Sequence, residues 1–548
     1  MRALPAVSPR ALGAGLLLGS LPLIPLRLLL PSQAGIGPFD LPIAAAGLAL
    51  LFLLGSSRLR LPDPECLPLW GAALLALVPA FLAGTDLPAP ITNDERSYLY
   101  QAELFREGRL AEPLSAAPEA LSRRQILDDP GTGQRFSKYP PGTALALTPG
   151  ILFGQPALMT ALAALLDLVL LAALARRLGL SHTRLAPLFL AVSPFFLLVQ
   201  TSFQSEVFTL PAALGGYLCL LRVRCSSARH PLAWALGVGA CTGWVLLARP
   251  LTGAVLALSF LPGLAPAPGV LRAGGLRAAL AAALAGLPFF LVLLAANKAW
   301  TGDFLAAPYD VYAHRFGPFD PSGRPVDVYG RGDFVAGLLR QGGRWSVTLF
   351  GLLGGAGLGF WGLGRLRRRD GGSGLAFAVL LPVAYAFHWY PGHWAYLGPL
   401  YCLESLGLLL LGATAVLDSL SEGWRRSFFW CALLAGAALF GVRYASVRQQ
   451  ALLRSAPQRA ARAAAIPARA VVLLPWFADP ARSERSFKLY TPSRRPRDEQ
   501  PCFVREQPDP ARTRDALQRL GLAARPVFRF VPGEGESGRL VPYTPGSR

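Results

Sequence analysis

Long apolar runs, each about as long as a membrane-crossing helix, recur along most of the chain and are separated by short polar segments. Each run can cross the hydrocarbon as a helix, and none alternates with the period of two that a barrel strand needs. The pattern predicts about thirteen spans, near residues 11–30, 41–55, 68–85, 156–175, 184–201, 206–222, 232–248, 250–267, 277–296, 345–363, 374–390, 397–415 and 428–444. Residues 11–30 could pass for a signal peptide, but Pro22, Pro25 and Arg27 interrupt them and further spans follow at once, so they read as a retained span. Gly142–Gly154 is apolar but short and broken by Pro149, which predicts a surface or re-entrant helix.

Beyond the last run the pattern changes. Strand-like segments lie at Arg469–Pro475, Pro501–Glu506 and Pro526–Pro532. Between the last two, a helix is expected from Asp509 near its start, Pro510 in its first turn and Gly521 at its stop. The predicted fold is therefore an all-α polytopic membrane protein with a small C-terminal α/β appendage. Its parts are N-terminal membrane helices over 1–67, a membrane domain over 68–445 with large loops at 86–155 and 298–344, and the appendage over 446–548.

Charge orients this arrangement. The net charge is +21, yet Lys138, Lys298 and Lys488 are the only lysines. A basic chain invites a nucleic-acid reading. The arginines instead sit mostly in short loops between apolar runs, as at Arg176, Arg177 and Arg184, at Arg222 and Arg224, and at Arg365–Arg369. That is the positive-inside signature, and it disfavours nucleic acid as the partner. It predicts a multi-pass protein of the inner membrane with a cytoplasmic N-terminus. The two large loops and the tail then fall on the extracytoplasmic side. The seven cysteines form no CxxC or Cys/His cluster, and no disulfide framework is evident. The motifs GxxxxGK[ST], HExxH and GxSxG are absent.

Several polar residues sit where such a chain has little reason to place them. In "ITNDERSYLYQAELFREG" the acids Asp94 and Glu95 open a predicted amphipathic helix just after a span. Thr92 and Glu95 have capping-box spacing, so first-turn acids have a purely structural explanation as well as a chemical one. "SKYPPG" presents Lys138 and Tyr139 on a rigid Pro-Pro turn; the ammonium there is either snorkelling or suited to a lipid phosphate. Arg249 lies in a short outside connection, against the charge trend, and is either an anchor or a second phosphate candidate. Glu206 begins a span, where it serves as a helix-start acid or as a substrate-binding group. His388 and His393 belong to an aromatic-belt loop and could line a polar site, though their spacing is not a metal signature. Glu404 lies inside an apolar run, where a carboxylate requires a partner. The long loop after residue 298 carries Tyr309, Asp310, Tyr312 and His314, which remain unassigned.

The order of these features resembles the polyprenyl-phosphate-dependent GT-C glycosyltransferases, and within them the protein O-mannosyltransferase and lipid A aminoarabinose transferase group. "NDERSY" is similar to that group's Asp-Glu segment, "KYPPG" to its Lys-Pro-Pro turn, and "YLGPLYCLESLGLLLL" to a late span of bacterial members. Arg often occupies the position of Leu400 there, a departure that weakens a phosphate role for that helix. The resemblance covers roughly residues 68–445. It implies a hexosyl- or pentosyltransferase that moves a sugar from a polyprenyl-phosphate donor to a lipid, glycan or protein acceptor on the extracytoplasmic face. Asp94 would act as base or positioning carboxylate, with Glu95 assisting, and Lys138 and Arg249 would face the departing phosphate. Some relatives use a divalent metal such as Mg or Mn, so metal dependence stays open. The alternative is a polytopic transporter or lipid-linked-oligosaccharide flippase. It is disfavoured because no paired halves are visible and the acids lie at the surface rather than mid-membrane.

Overall fold

A computed structural model describes residues 7–20, 39–57, 59–87, 89–123, 125–225, 230–264, 272–316, 334–387, 398–477, 489–533 and 537–543. The chain forms two compact units. One comprises residues 1–84, 140–294 and 317–444, the other residues 85–139, 295–316 and 445–548.

The first unit is helical. Across the whole chain, six helices among the described residues are long and apolar enough to cross a membrane, among them Ala157–Arg177, Ser205–Val223 and Pro231–Ala248. Ala157–Arg177 shows how such a helix divides its surface. Leu158, Leu162, Leu166 and Val169 are exposed at helical spacing, while Ala164, Leu168 and Leu171 are buried against neighbouring helices. In water that leucine stripe would be an adhesive patch, whereas in hydrocarbon it costs nothing. The protein is a multi-pass membrane protein.

Two expected spans are broken. The run at 184–201 is two short helices, Leu185–Val192 and Pro194–Gln200, because Pro194 lacks an N–H and starts a new helix. The run at 345–363 straddles a turn between Phe334–Thr348 and Gly355–Asp370. Gly351 and Gly354 make that turn with φ of +68° and +76°, conformations that residues with a Cβ rarely adopt. Helix Gly355–Asp370 then packs closely on Leu406–Leu417, where a Cβ on Gly362 would lie 1.7 Å from the Gly412 carbonyl oxygen.

One end of this unit is laced by arginines. Arg184 donates to the Glu65 carbonyl (2.9 Å), Arg426 to Leu61 (3.0 Å), Arg177 to Leu221 (3.1 Å) and Arg224 to Gly263 (3.3 Å). The Ser181 and His182 amides donate to Asp418, and Arg365 donates to Ser419 Oγ. Val7 N–H reaches the Ser419 carbonyl at 3.1 Å. The loops grouped by their arginines are thus joined physically, together with the N-terminal segment.

The second unit is mixed. Helix Asn93–Arg106 packs with a three-stranded antiparallel sheet of β1 (Glu112–Pro113), β2 (Ile126–Asp129) and β3 (Gln134–Ser137), in the order β1-β3-β2. The tail contributes β4 (Val471–Leu474), β5 (Cys502–Arg505), β6 (Val527–Pro532) and β7 (Gly538–Pro542), in the order β5-β4-β6-β7. β4 is parallel to both neighbours and β7 antiparallel to β6. Val471 and Leu473 enter one core and Val472 and Leu474 another, so β4 is covered on both faces and reads as an unbroken apolar run. The helix between β5 and β6 is Pro510–Arg519, capped by Asp509 and followed by Gly521 at φ +70°.

The tail does not stand apart. Ala117, Ala120 and Leu121 share a core with Val471, Val504 and Leu517. Arg494 reaches Glu103, Glu107 and Glu112 at 3.0–3.2 Å, tying the tail to the helix that begins at Asn93.

Candidate functional site

In the second unit the chemistry collects where β3 ends. Lys138 follows β3 directly, and its amide donates to the Gln125 carbonyl at 3.2 Å. Its side chain is buried, with the ammonium 4.7, 4.6 and 4.0 Å from the ring centres of Tyr139, Tyr309 and Tyr312. Ring faces are the negative part of the tyrosine quadrupole, so three of them stabilise a cation that burial would otherwise penalise. Tyr309 and Tyr312 sit three residues apart on helix Pro308–Phe316 and so share one face. Tyr312 is fixed by a core of Leu127, Phe136, Ala296 and Trp300.

Asp94 and Glu95 divide their labour. Glu95 is buried, and its carboxylate accepts from Thr92 N–H (3.0 Å) and Thr92 Oγ1 (2.9 Å) while its own amide donates to Thr92 Oγ1 (3.1 Å), a complete capping box. Asp94 is half-buried and accepts from Gln125 Nε2 at 2.9 Å. Burial, followed by the neighbouring Asp94 charge, pushes the Tyr139 pKa well above its usual value. Tyr139 therefore stays protonated beside Asp94, and its ring walls the Lys138 ammonium. Asp94, Gln125, Tyr139 and Lys138 make one connected group. Tyr98 packs against Tyr139 with ring centres 4.7 Å apart.

The first unit has its own polar cluster. Arg249 pairs with Glu206 and lies 3.0 Å from Glu404. Its remaining donors go to Ser205 Oγ (2.9 Å), Thr252 Oγ1 (3.2 Å), the Tyr385 hydroxyl (3.1 Å) and the Tyr401 carbonyl (3.2 Å). Glu404 also accepts from Thr209 Oγ1 at 2.7 Å. The partner that a carboxylate in an apolar run requires is thus present. Two carboxylates around one guanidinium leave no surplus positive charge at Arg249.

Helix Pro141–Leu152 follows the Pro-Pro turn as a short helix, with Pro149 inside it. A Cβ on Gly142 would meet the Ala248 backbone nitrogen at 2.7 Å, which is the steric reason "KYPPG" ends in glycine. His388 and His393 lie outside the described residues. Among the described residues no group of three or more His, Cys, Asp or Glu side chains gathers to hold a metal.

Gln125 gave no signal in the sequence. Tyr309 and Tyr312 were visible as loop aromatics, but nothing linked them to a lysine some 170 residues earlier.

No known protein family and no curated protein sequence matches the chain. Solved structures do. ArnT from Cupriavidus metallidurans in the apo state matches at a TM-score of 0.51 and 14% identity, over 85% of this chain and 93% of that one. The chain has the ArnT fold. The same ArnT bound to undecaprenyl phosphate matches at a TM-score of 0.49 and 13% identity, over 84% of this chain and 89% of that one. AglB, the oligosaccharyltransferase of Archaeoglobus fulgidus in complex with an inhibitory peptide and a dolichol-phosphate, matches at 0.44 and 10%, over 84% and 69%.

Proposed function

We propose that the chain is a membrane glycosyltransferase that moves a sugar from a polyprenyl-phosphate donor to an acceptor on the extracytoplasmic face of the inner membrane. The observation that carries this reading is the linked group of Asp94, Tyr139 and Lys138. A carboxylate held by the Gln125 amide neighbours a tyrosine whose ring faces a buried ammonium. General-base transfer from a lipid phosphate needs those two charges, one for the incoming nucleophile and one for the departing group.

In this mechanism the acceptor hydroxyl oxygen attacks the anomeric carbon as its proton passes to Asp94. The bond from that carbon to the phosphate oxygen breaks, and the polyprenyl phosphate leaves with the electron pair. Lys138 stabilises the charge that grows on it. Gln125 holds the Asp94 carboxylate, and Glu95 holds the helix start that carries it. The phosphate role falls to Lys138. Arg249, with Glu206 and Glu404, shapes the polar interior of the first unit.

The test is an assay with purified protein, undecaprenyl-phosphate sugars and membrane-extract acceptors. Asp94→Asn should lower turnover by about 10²–10⁴-fold, the usual worth of a general base. Full activity in a well-folded Asp94→Asn protein would refute the assignment.

A further inference from the structure

Of the six candidate spans among the described residues, Gly275–Thr301 is the least buried. It belongs to helix Arg272–Thr301, on which Leu276, Leu280, Leu284, Leu287 and Leu291 are exposed at spacings of three and four. They form one stripe that needs hydrocarbon around it. Lys298 lies one heptad beyond Leu291 and returns to that stripe. Trp300 points the other way, into the core of Leu127, Phe136 and Tyr312, and its indole N–H donates to the Leu110 carbonyl at 2.8 Å. The last turn of this helix therefore has one face toward lipid and one toward that core.

The segment that follows continues the lipid face. Lys298 donates to the Gly302 carbonyl, and its ammonium lies 5.6 Å from the centre of the Phe304 ring. Phe304 thus lies on the stripe side of the helix end. Phe304 is 52% and Leu305 81% exposed, on an ordered backbone. Thr301 Oγ1 donates to the Ala306 carbonyl (2.9 Å) and Asn297 Nδ2 to the Phe304 carbonyl (3.2 Å). Asp303 accepts from the Leu305 amide and Asp310 from the Ala307 amide, each at 2.9 Å. Two adjacent large apolar side chains beside a lysine with a long apolar stem suit the boundary between hydrocarbon and headgroups.

We propose that residues 302–307 are a membrane-docking wedge. Phe304 and Leu305 enter the acyl–headgroup boundary of the leaflet in which helix Arg272–Thr301 ends, with the Lys298 ammonium at the level of the lipid phosphates. The wedge runs straight into helix Pro308–Phe316, whose Tyr309 and Tyr312 face Lys138. Docking thereby holds the tyrosine cage at the depth where a polyprenyl phosphate carries its phosphate. The depth role rests on the glycosyltransferase reading; the lipid contact does not.

The experiment uses the full chain in vesicles of phosphatidylethanolamine and phosphatidylglycerol. A nitroxide is attached at Leu305→Cys and, as an aqueous reference, at Arg512→Cys on the exposed side of the tail helix. Both carry Cys66→Ser, which removes the exposed native thiol. The ratio of relaxation by oxygen to relaxation by a water-soluble nickel chelate should be clearly higher at position 305. An equal or lower ratio there overturns the wedge. In a second arm, Leu305→Asp should raise the KM for an undecaprenyl-phosphate sugar in these vesicles roughly 10-fold at unchanged kcat. Leu305→Ser serves if the aspartate variant does not insert. In detergent, where no lipid surface exists, the variant should match the wild type, whereas a merely structural loss would appear in both. An unchanged KM in vesicles, or an equal rise in detergent, overturns the depth role and leaves the lipid contact standing. A lipid-exposed label in a protein that transfers no sugar sinks the glycosyltransferase reading and not the wedge.

Discussion

Tyr139 is where the two halves of the proposed chemistry meet, since it neighbours Asp94 and its ring faces Lys138. Tyr139→Phe separates these tasks by keeping the ring and deleting the hydroxyl. A hydrogen bond to a charged group contributes about 1.5–3 kcal/mol. The variant should therefore lose roughly 10–100-fold in kcat with little change in the donor KM, as steady-state kinetics would reveal. Because its pKa is pushed upward, Tyr139 remains protonated through neutral and mildly alkaline pH. The alkaline limb of the pH–rate profile should be the same in Tyr139→Phe as in the wild type, and a limb that moves would rule out the donor role. At this scale the sequence was informative for residues with a local signature. Thr92 and Glu95 announced the capping box by spacing alone, and Lys138 stood out because lysine is scarce. Gln125 and the tyrosine cage depend on chain segments brought together by the fold, so no local pattern reports them.

The elements follow the same division. Apolar helices and the tail strands β4, β5 and β6 were legible because hydropathy and length set them, whereas β7 was not anticipated. The breaks at Pro194 and at Gly351–Gly354 were harder, since the apolar runs continue straight through them. Strands β1 to β3 are too short and too polar to show a period of two. The close crossing at Gly362 is testable. Alanine there would place a methyl inside the contact distance of the Gly412 carbonyl. The helices would have to separate, at about 1–3 kcal/mol. Thermal unfolding in detergent should show a clear loss for Gly362→Ala and almost none for Gly364→Ala, whose Cβ meets nothing.

The contact between the tail and helix Asn93–Arg106 makes a prediction in pH. Burial alone would raise the Glu107 pKa, but hydrogen bonds from Arg109 and Arg494 outweigh it and bring the value from 4.5 down to about 2. A depressed carboxyl stabilises the fold above its ordinary pKa and loses that contribution as pH falls from 4.5 toward 2. Glu107→Gln should flatten this part of the acid melting profile. A profile as steep as that of the wild type would show that Glu107 does not contribute. Its side chain is partly exposed, so solvent screening keeps the effect modest.

For the whole molecule, the arginine pattern gave a sidedness that labelling can read. Cys66 is exposed and lies within the arginine-laced set of loops. It should react with a membrane-permeant maleimide in intact cells and resist an impermeant one, while a cysteine placed at Ser115 should react with both. Labelling of Cys66 from outside would invert the orientation and move the proposed chemistry to the cytoplasmic face. The division into two units was not legible. Hydropathy marks where the chain leaves the apolar runs, but it does not say that residues 85–139, 295–316 and 445–548 form one compact unit.

The lacing also bears on how the first unit can open. A bundle whose helices are stitched to one another at one end can splay only at the other. Each arginine-to-carbonyl bond acts as a rivet, and together they set the pivot about which Ala157–Arg177, Ser205–Val223 and Gly355–Asp370 can tilt. Any opening of the first unit should therefore be greatest farthest from Arg177, Arg184 and Arg224, which a spin-label distance measurement at both ends would check. Loosening those rivets would let the helices slide instead of pivot.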